Sequence, residues 1–401
     1  MSQRRRASWR ARASALSWLA LAALGAPVVA LPTVGCGGTP AIQTGPRVLP
    51  PANPEAVRKY LEGARLLTQG GAGTERRAMQ RFEEALRIDA NLWEAHYNIG
   101  VIHRRAGELR EAAQRFEAAR RIQPGSDEAL TALAEARYLL GDREAASDLL
   151  EAFVREHTNV VGARVALATI LRERGEYDDA LAQAREALIR EPQNVRALSE
   201  IGRAYRAQNQ LDVAELVFHK ALALDENNAA LHNDLGLCAL ARGDTQAAFV
   251  EFGRATQIDE RFAPAHINQA SVLLRAGDYD GAETEYRAVL RLDEDNLDAR
   301  VGLGVALRGK GQAEQARTEY QRVLDSSANH PAALFNMAVL RAEFLNQRPQ
   351  SRELFQRYLD VAPSNDPHRA VAERYLTEIP AAAGPATRGG GGGRRRGGGR
   401  R

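Results

Sequence analysis

From Pro54 onward, apolar positions fall at helical spacing in short stretches separated by polar turns, and the whole pattern returns every 34 residues. Its clearest marker is an alanine at Ala78, Ala112, Ala146, Ala180, Ala214, Ala248, Ala282 and Ala316. Five residues earlier a glycine recurs, at Gly107, Gly141, Gly175, Gly243, Gly277 and Gly311. Four residues later stands a large side chain: Phe82, Phe116, Leu150, Phe218, Phe252, Tyr286 or Tyr320. A fixed period of this length marks stacked repeats. It overrides the two or three globular domains that 401 residues would otherwise suggest.

Each unit reads as two helices joined by a turn. In the unit from Trp93 to Ser126, Ile99, Gly100 and His103 share one face of the first helix, and Ala112, Phe116 and Ala119 share one face of the second. Gly107 ends the first helix, because glycine readily takes the positive φ of a C-terminal cap. Small residues such as Gly100, Gly202, Gly236 and Gly304 let the second helix approach the first, and the aromatic is expected to fill the space between neighbouring units. Pro124 and Pro192 separate one pair from the next. The spacing predicts seven strict units from Trp93 to His330, preceded by a degenerate unit from Pro54 with Gly70-Gly71-Ala72-Gly73 inserted in its turn. A ninth unit runs from Pro331 to Pro363 with one extra residue, and a capping helix covers Asp366 to Thr377. No strand is predicted.

This succession of small, small, aromatic, small and proline resembles the tetratricopeptide-repeat (TPR) family, over about four-fifths of the chain. The resemblance implies an all-α fold: a right-handed α-solenoid of about nine helix-turn-helix units with a C-terminal capping helix. It implies a protein–protein interaction scaffold and no enzyme, and it names no partner. In TPR proteins the first helices line a concave groove, which implies a binding face here. Arg196, Arg203 and Arg206 share that face of one helix, with Arg104 and Arg172 upstream and Arg308 downstream. Tyr97, Asn98, Tyr138, Asn233, Asn268 and Asn336 add stacking and hydrogen-bonding groups. Towards the C-terminal end the face turns apolar, through Leu237, Ile267, Val301 and Phe335. The expected partner is a protein or peptide with acidic groups at one end and apolar anchors at the other. The alternative is a solvated arginine face with apolar residues packing the stack. The set lacks the lysine-rich clamp by which some relatives hold a chaperone's C-terminal carboxylate.

Composition matters most at the ends. Residues 1–35 carry five arginines and no acid, and the stretch from Ala381 carries six; without these eleven, the formal charge of +3 becomes about −8 for the middle of the chain. That balance argues against nucleic acid as a partner. Arg4, Arg5, Arg6, Arg10 and Arg12 precede an apolar run from Ala13 to Leu31, the layout of a secretory signal. Thr33-Val34-Gly35-Cys36 then resembles the lipobox of bacterial lipoproteins, with threonine where leucine is usual. The resulting expectation is a signal peptide over 1–35, lipid attached at Cys36, a flexible tether over 36–53, the repeats over 54–378 and a disordered Gly/Arg-rich tail over 379–401. Such a protein would be exported to the cell envelope, as an outer-membrane lipoprotein facing the periplasm. In plan it resembles TPR lipoproteins that serve as pilotins or in gliding-motility machinery. Two alternatives stay open: cleavage after Ala30, leaving Cys36 an ordinary thiol, and a cytoplasmic adaptor with an unprocessed N-terminus.

Chemistry-bearing motifs are missing from the sequence. The eight histidines are scattered, no CxxC or His-x-x-x-His site occurs, no serine elbow or phosphate loop is present, and Cys238 falls on an apolar helix face. Neither metal, cofactor nor small-molecule substrate is expected.

Overall fold

The computed structural model describes residues 51–71 and 73–379. Among these, regular structure consists of nineteen α-helices and no strand. The proposed signal, Cys36, most of the tether and the Gly/Arg tail lie outside the described residues. The chain divides into two compact units, the first ending at Ala265 and the second beginning at His266.

In the first unit, α1 (Pro54–Gln69) pairs with α2 (Thr74–Ile88), α3 (Trp93–Arg105) with α4 (Leu109–Ile122), and α5 (Asp127–Leu139) with α6 (Arg143–Glu156). Then α7 (Gly162–Glu173) pairs with α8 (Tyr177–Arg190), α9 (Val195–Ala207) with α10 (Leu211–Leu222), and α11 (Ala229–Arg242) with α12 (Thr245–Ile258). Each second helix also packs on the first helix of the following pair, while α5, α7, α9 and α11 touch in succession. The first helices therefore form one continuous layer, and the second helices are excluded from it. The boundary between the units falls within α13 (Ala263–Ala276), whose residues 266–276 belong to the second unit.

The second unit contains α14 (Tyr279–Leu292), α15 (Leu297–Gly309), α16 (Ala313–Ser326), α17 (Pro331–Glu343), α18 (Arg348–Val361) and α19 (Arg369–Glu378). Successive helices again pack in order, and α19 closes against α18, where Phe355 stacks on Tyr375 with centroids 4.6 Å apart. The ninth repeat carries its extra residue in the turn before α18, where Asn346 adopts φ 52°.

The fixed 34-residue step has a packing cause. A Cβ built on Gly100, Gly202, Gly236 or Gly304 would lie 2.6, 2.4, 2.5 or 2.3 Å from a ring carbon of Phe116, Phe218, Phe252 or Tyr320, each sixteen residues on. The ring thus seats against the bare backbone of the first helix in its own pair. The expected place, the space between neighbouring units, is filled as well: Phe116 clusters with Ala132, Leu133 and Ala136 of the next pair. In two of the repeats where alanine replaces the glycine, the opposing side chain is smaller: Ala134 shares a core cluster with Leu150, and Ala168 with Ala184. At Ala270 the residue sixteen on is still a ring, Tyr286, which lies against Gly302 of the following repeat. In the first pair Gly63 meets Phe82, nineteen residues on, so the glycine insertion lengthens the turn without disturbing the seat.

Turns and caps set the boundaries. Gly107 takes φ 77°, and Asn209 at φ 60° replaces the glycine of the fifth pair, asparagine being the other residue that tolerates this region. Ser126, Asn194 and Asn228 accept backbone N–H bonds at the starts of α5, α9 and α11. α7 lacks such a residue; the Asp127 carboxylate of the preceding pair instead accepts from the N–H groups of Val161, Gly162 and Ala163 at 3.0, 2.7 and 2.6 Å.

Candidate functional site

The layer of first helices in the first unit encloses a groove of about 640 Å³, lined from α3, α5, α7, α9 and α11. Most of its ion pairs between helices join residues separated by less than one full period, so that each reaches the neighbouring first helix.

Arg104 on α3 donates to Glu135 Oε2 on α5 at 2.7 Å, and the other oxygen of Glu135 accepts from Arg196 on α9 at 3.4 Å. One carboxylate thereby joins three pairs. Arg172 on α7 donates through Nε to Glu200 on α9 at 2.9 Å. Glu200 also accepts from Arg203 at 2.7 Å, and Arg203 Nε reaches Asp234 on α11 at 2.8 Å. The three acids are buried, at 9 % exposure for Glu135, 5 % for Glu200 and 2 % for Asp234. Burial alone would raise the Glu200 carboxyl, but the guanidiniums of Arg172 and Arg203 outweigh it and hold its pKa below the usual value.

The sequence places Tyr97, Arg104, Arg172, Arg196, Arg203 and Arg206 in the groove, and the structure brings these six together along its wall. Tyr97 packs on Phe116 with centroids 5.6 Å apart. Tyr138 sits behind the wall: its hydroxyl donates to Glu173, and burial together with that carboxylate pushes its pKa up to about 12. Asn98 turns to Tyr60 Oη at 3.2 Å and to the Glu94 carbonyl at 2.9 Å. Asn233 is completely buried and offers nothing to a groove, which corrects its expected place there. Asn268, Arg308 and Asn336 belong to the second unit, where Arg308 donates to Asn336 at 3.2 Å.

The arginines are not a free cationic face. The lining contains six arginines and eight carboxylates, so acid recognition by the groove as a whole is not built in. Sequence reasoning missed Glu135, Glu200 and Asp234. Their signal was an acid standing 28 or 31 residues after an arginine, one period minus one or two helical turns.

Other chemistry among the described residues is structural. Cys238 is buried, and burial pushes its thiol pKa up to about 12, so it stays protonated. His232 and His266 contact Glu251 and Glu285 on the second helices of their own repeats, at 2.8 and 2.5 Å. Among the described residues no group of three or more histidines, cysteines and acids could hold a metal ion, and no helix is long and apolar enough to cross a membrane.

A sequence profile described as Tetratricopeptide repeat matches residues 72–127, 165–229, 199–265 and 267–333, which together exceed half the chain. Two further profiles of the same description match residues 103–168 and 332–365. The chain belongs to the tetratricopeptide repeat family. The TPR fold is also seen in solved structures. The Cut9–Hcn1 hetero-tetramer of the APC/C is 14 % identical with a TM-score of 0.55, covering 81 % of this chain and 76 % of that one. The human IFIT1 dimer with PPP-AAAA is 18 % identical with a TM-score of 0.51, covering 77 % of this chain and 73 % of that one. At these identities the likeness is one of fold. No curated protein matches the sequence. As a TPR protein the chain is a scaffold for protein–protein interaction, the use to which stacked helix pairs of this family are generally put.

Proposed function

We propose that this TPR protein is a lipid-anchored scaffold of the cell envelope, holding segments of partner proteins in the groove of its first unit during assembly of a multiprotein complex of the secretion, pilus or gliding-motility kind. The observation that carries this reading is the ladder of ion pairs on the groove wall. Three buried acids fix four guanidiniums in place, so the wall is pre-organised before a ligand arrives, and less side-chain entropy is lost on binding. Its length, spanning five first helices, suits an extended or helical peptide better than a compact small molecule. The anchor is supported by Thr33-Val34-Gly35-Cys36 following an arginine-led apolar run. A membrane address would concentrate the groove near envelope machinery.

A single crosslinking experiment on membranes tests both halves. Arg196→Ala combined with Leu237→Ala strips a cation and an apolar contact from the groove while leaving Arg104 on Glu135. This variant is expected to lose the crosslinked partners of the wild type; recovery of the same set would refute the groove reading. Cys36→Ala is expected to leave the membrane fraction, and its retention there would refute the anchor.

A further inference from the structure

One groove arginine departs from the ladder. Arg206 lines the groove on α9, yet its Nε is buried without a hydrogen-bond partner, and no described acid forms an ion pair with its guanidinium. Three other arginines occupy its position in the repeat: Arg104 and Arg172 in the first unit, and Arg308 in the second, where it meets Asn336. Arg104 is met by Glu135, 31 residues on, and Arg172 by Glu200, 28 residues on. The residues standing at those distances from Arg206 are Leu237 and Asp234. Leu237 is uncharged, and Asp234 already accepts from Arg203 Nε at 2.8 Å. Within the first unit the chain therefore repeats the cation of the ladder but omits its acid once, and an apolar side chain lines the groove in that place.

We infer that Arg206 is the carboxylate-binding anchor of the groove, and that the partner supplies the acid the chain leaves out. The inference rests on the reading of the groove as a peptide site. A guanidinium held partly out of water with unused donors gains more from a carboxylate than a solvated one does, and its planar fork donates to both oxygens. Competition from Asp234 is weak because Arg203 already offsets its charge. Leu237 beside the open position selects an apolar residue next to the acid. The acid is a side-chain carboxylate or a chain terminus, since both present the same pair of oxygens. A groove with more carboxylates than arginines can thus still prefer an acidic partner, at one point along its length.

The test uses the full chain and two degenerate libraries of synthetic octapeptides, one with free C-termini and one amidated. Wild type is expected to retain peptides with an acid beside Leu, Ile or Val. Enrichment in the amidated library identifies a side-chain carboxylate, and enrichment confined to the free library identifies a terminus. For the best peptide, Arg206→Gln is expected to weaken binding about tenfold, or ~1.4 kcal/mol, and to abolish acid selection while apolar selection persists. Leu237→Glu places an acid 31 residues after Arg206, as Glu135 stands to Arg104. It is expected to close the open position and erase acid selection, without lowering the melting temperature. Persistence of acid selection in Arg206→Gln, or its absence in wild type that binds peptides, overturns the anchor alone. Retention of no peptide by wild type overturns the groove reading and the anchor with it.

Discussion

At the scale of single residues, the fold depends on a matched pair sixteen positions apart: a glycine without Cβ and a ring lying where that Cβ would be. Gly202→Ala is expected to force the Phe218 ring aside and destabilise by about 1–3 kcal/mol, as overpacking does. Adding Phe218→Leu should recover much of the loss, since Ala134 and Leu150 already pack together at the equivalent positions. Urea unfolding of both variants checks this, and a double variant weaker than Gly202→Ala would contradict the matching rule. Such pairs were legible in the sequence because they recur with the period. The acids under the arginines were not. Glu200 and Asp234 stand one period apart, but Glu135 sits at another position and neither place is acidic in the other repeats, so no acidic column runs along the chain, and only the stacking of neighbouring helices shows which arginine each one meets. Their consequence is a pH dependence of known sign. The Glu200 carboxyl has a folded pKa below its ordinary 4.5, so its stabilisation is present above pH 4.5 and lost as pH falls through the folded value. Glu200→Gln is expected to cost about 3–5 kcal/mol at neutral pH, because Arg172 and Arg203 lose a buried counter-charge. Melting temperatures taken across the acid range should fall less steeply for this variant than for wild type.

At the scale of elements, several first helices start self-sufficiently, the connections into α5, α9, α11, α15 and α17 each ending in a residue whose side chain accepts from the new helix. α3, which follows Leu92, and α7 are exceptions, and for α7 Asp127 of the preceding pair provides three N–H···O contacts. A carboxylate also suits the partial positive charge of a helix N-terminus. Asp127→Ala is expected to destabilise by about 1–2 kcal/mol. Amide exchange at Val161, Gly162 and Ala163 should accelerate ahead of the rest of α7; uniform acceleration would mean that the carboxylate serves the whole pair and not the helix start. Helix existence and order could be read from periodicity, including the lengthened first turn and the extra residue before α18. This borrowed cap could not, because Asp127 is also the first residue of its own helix and its sequence context marks it only for that role.

On the scale of the molecule, repeat proteins are stabilised largely by contacts between adjacent units. The Glu135 carboxylate exceeds that range, since it takes Arg104 from the pair before and Arg196 from two pairs after. The two contacts differ in exposure: the Arg104 side chain is 19 % exposed and that of Arg196 is 43 %. Mobile ions screen exposed pairs more strongly than buried ones. Raising salt from about 0.1 M to 1 M shortens the screening length from about 10 Å to 3 Å, and amide exchange near the start of α9 is expected to rise under those conditions while α3 stays protected. Equal change at both sites would show that the longer contact carries no load. If it does carry one, α3, α5 and α9 behave as a truss braced at a single node, and the groove has a natural width that ionic strength can relax. A ligand that fits the braced width would then tighten this segment as it binds, and one that needs a wider berth would have to break the Arg196 brace first.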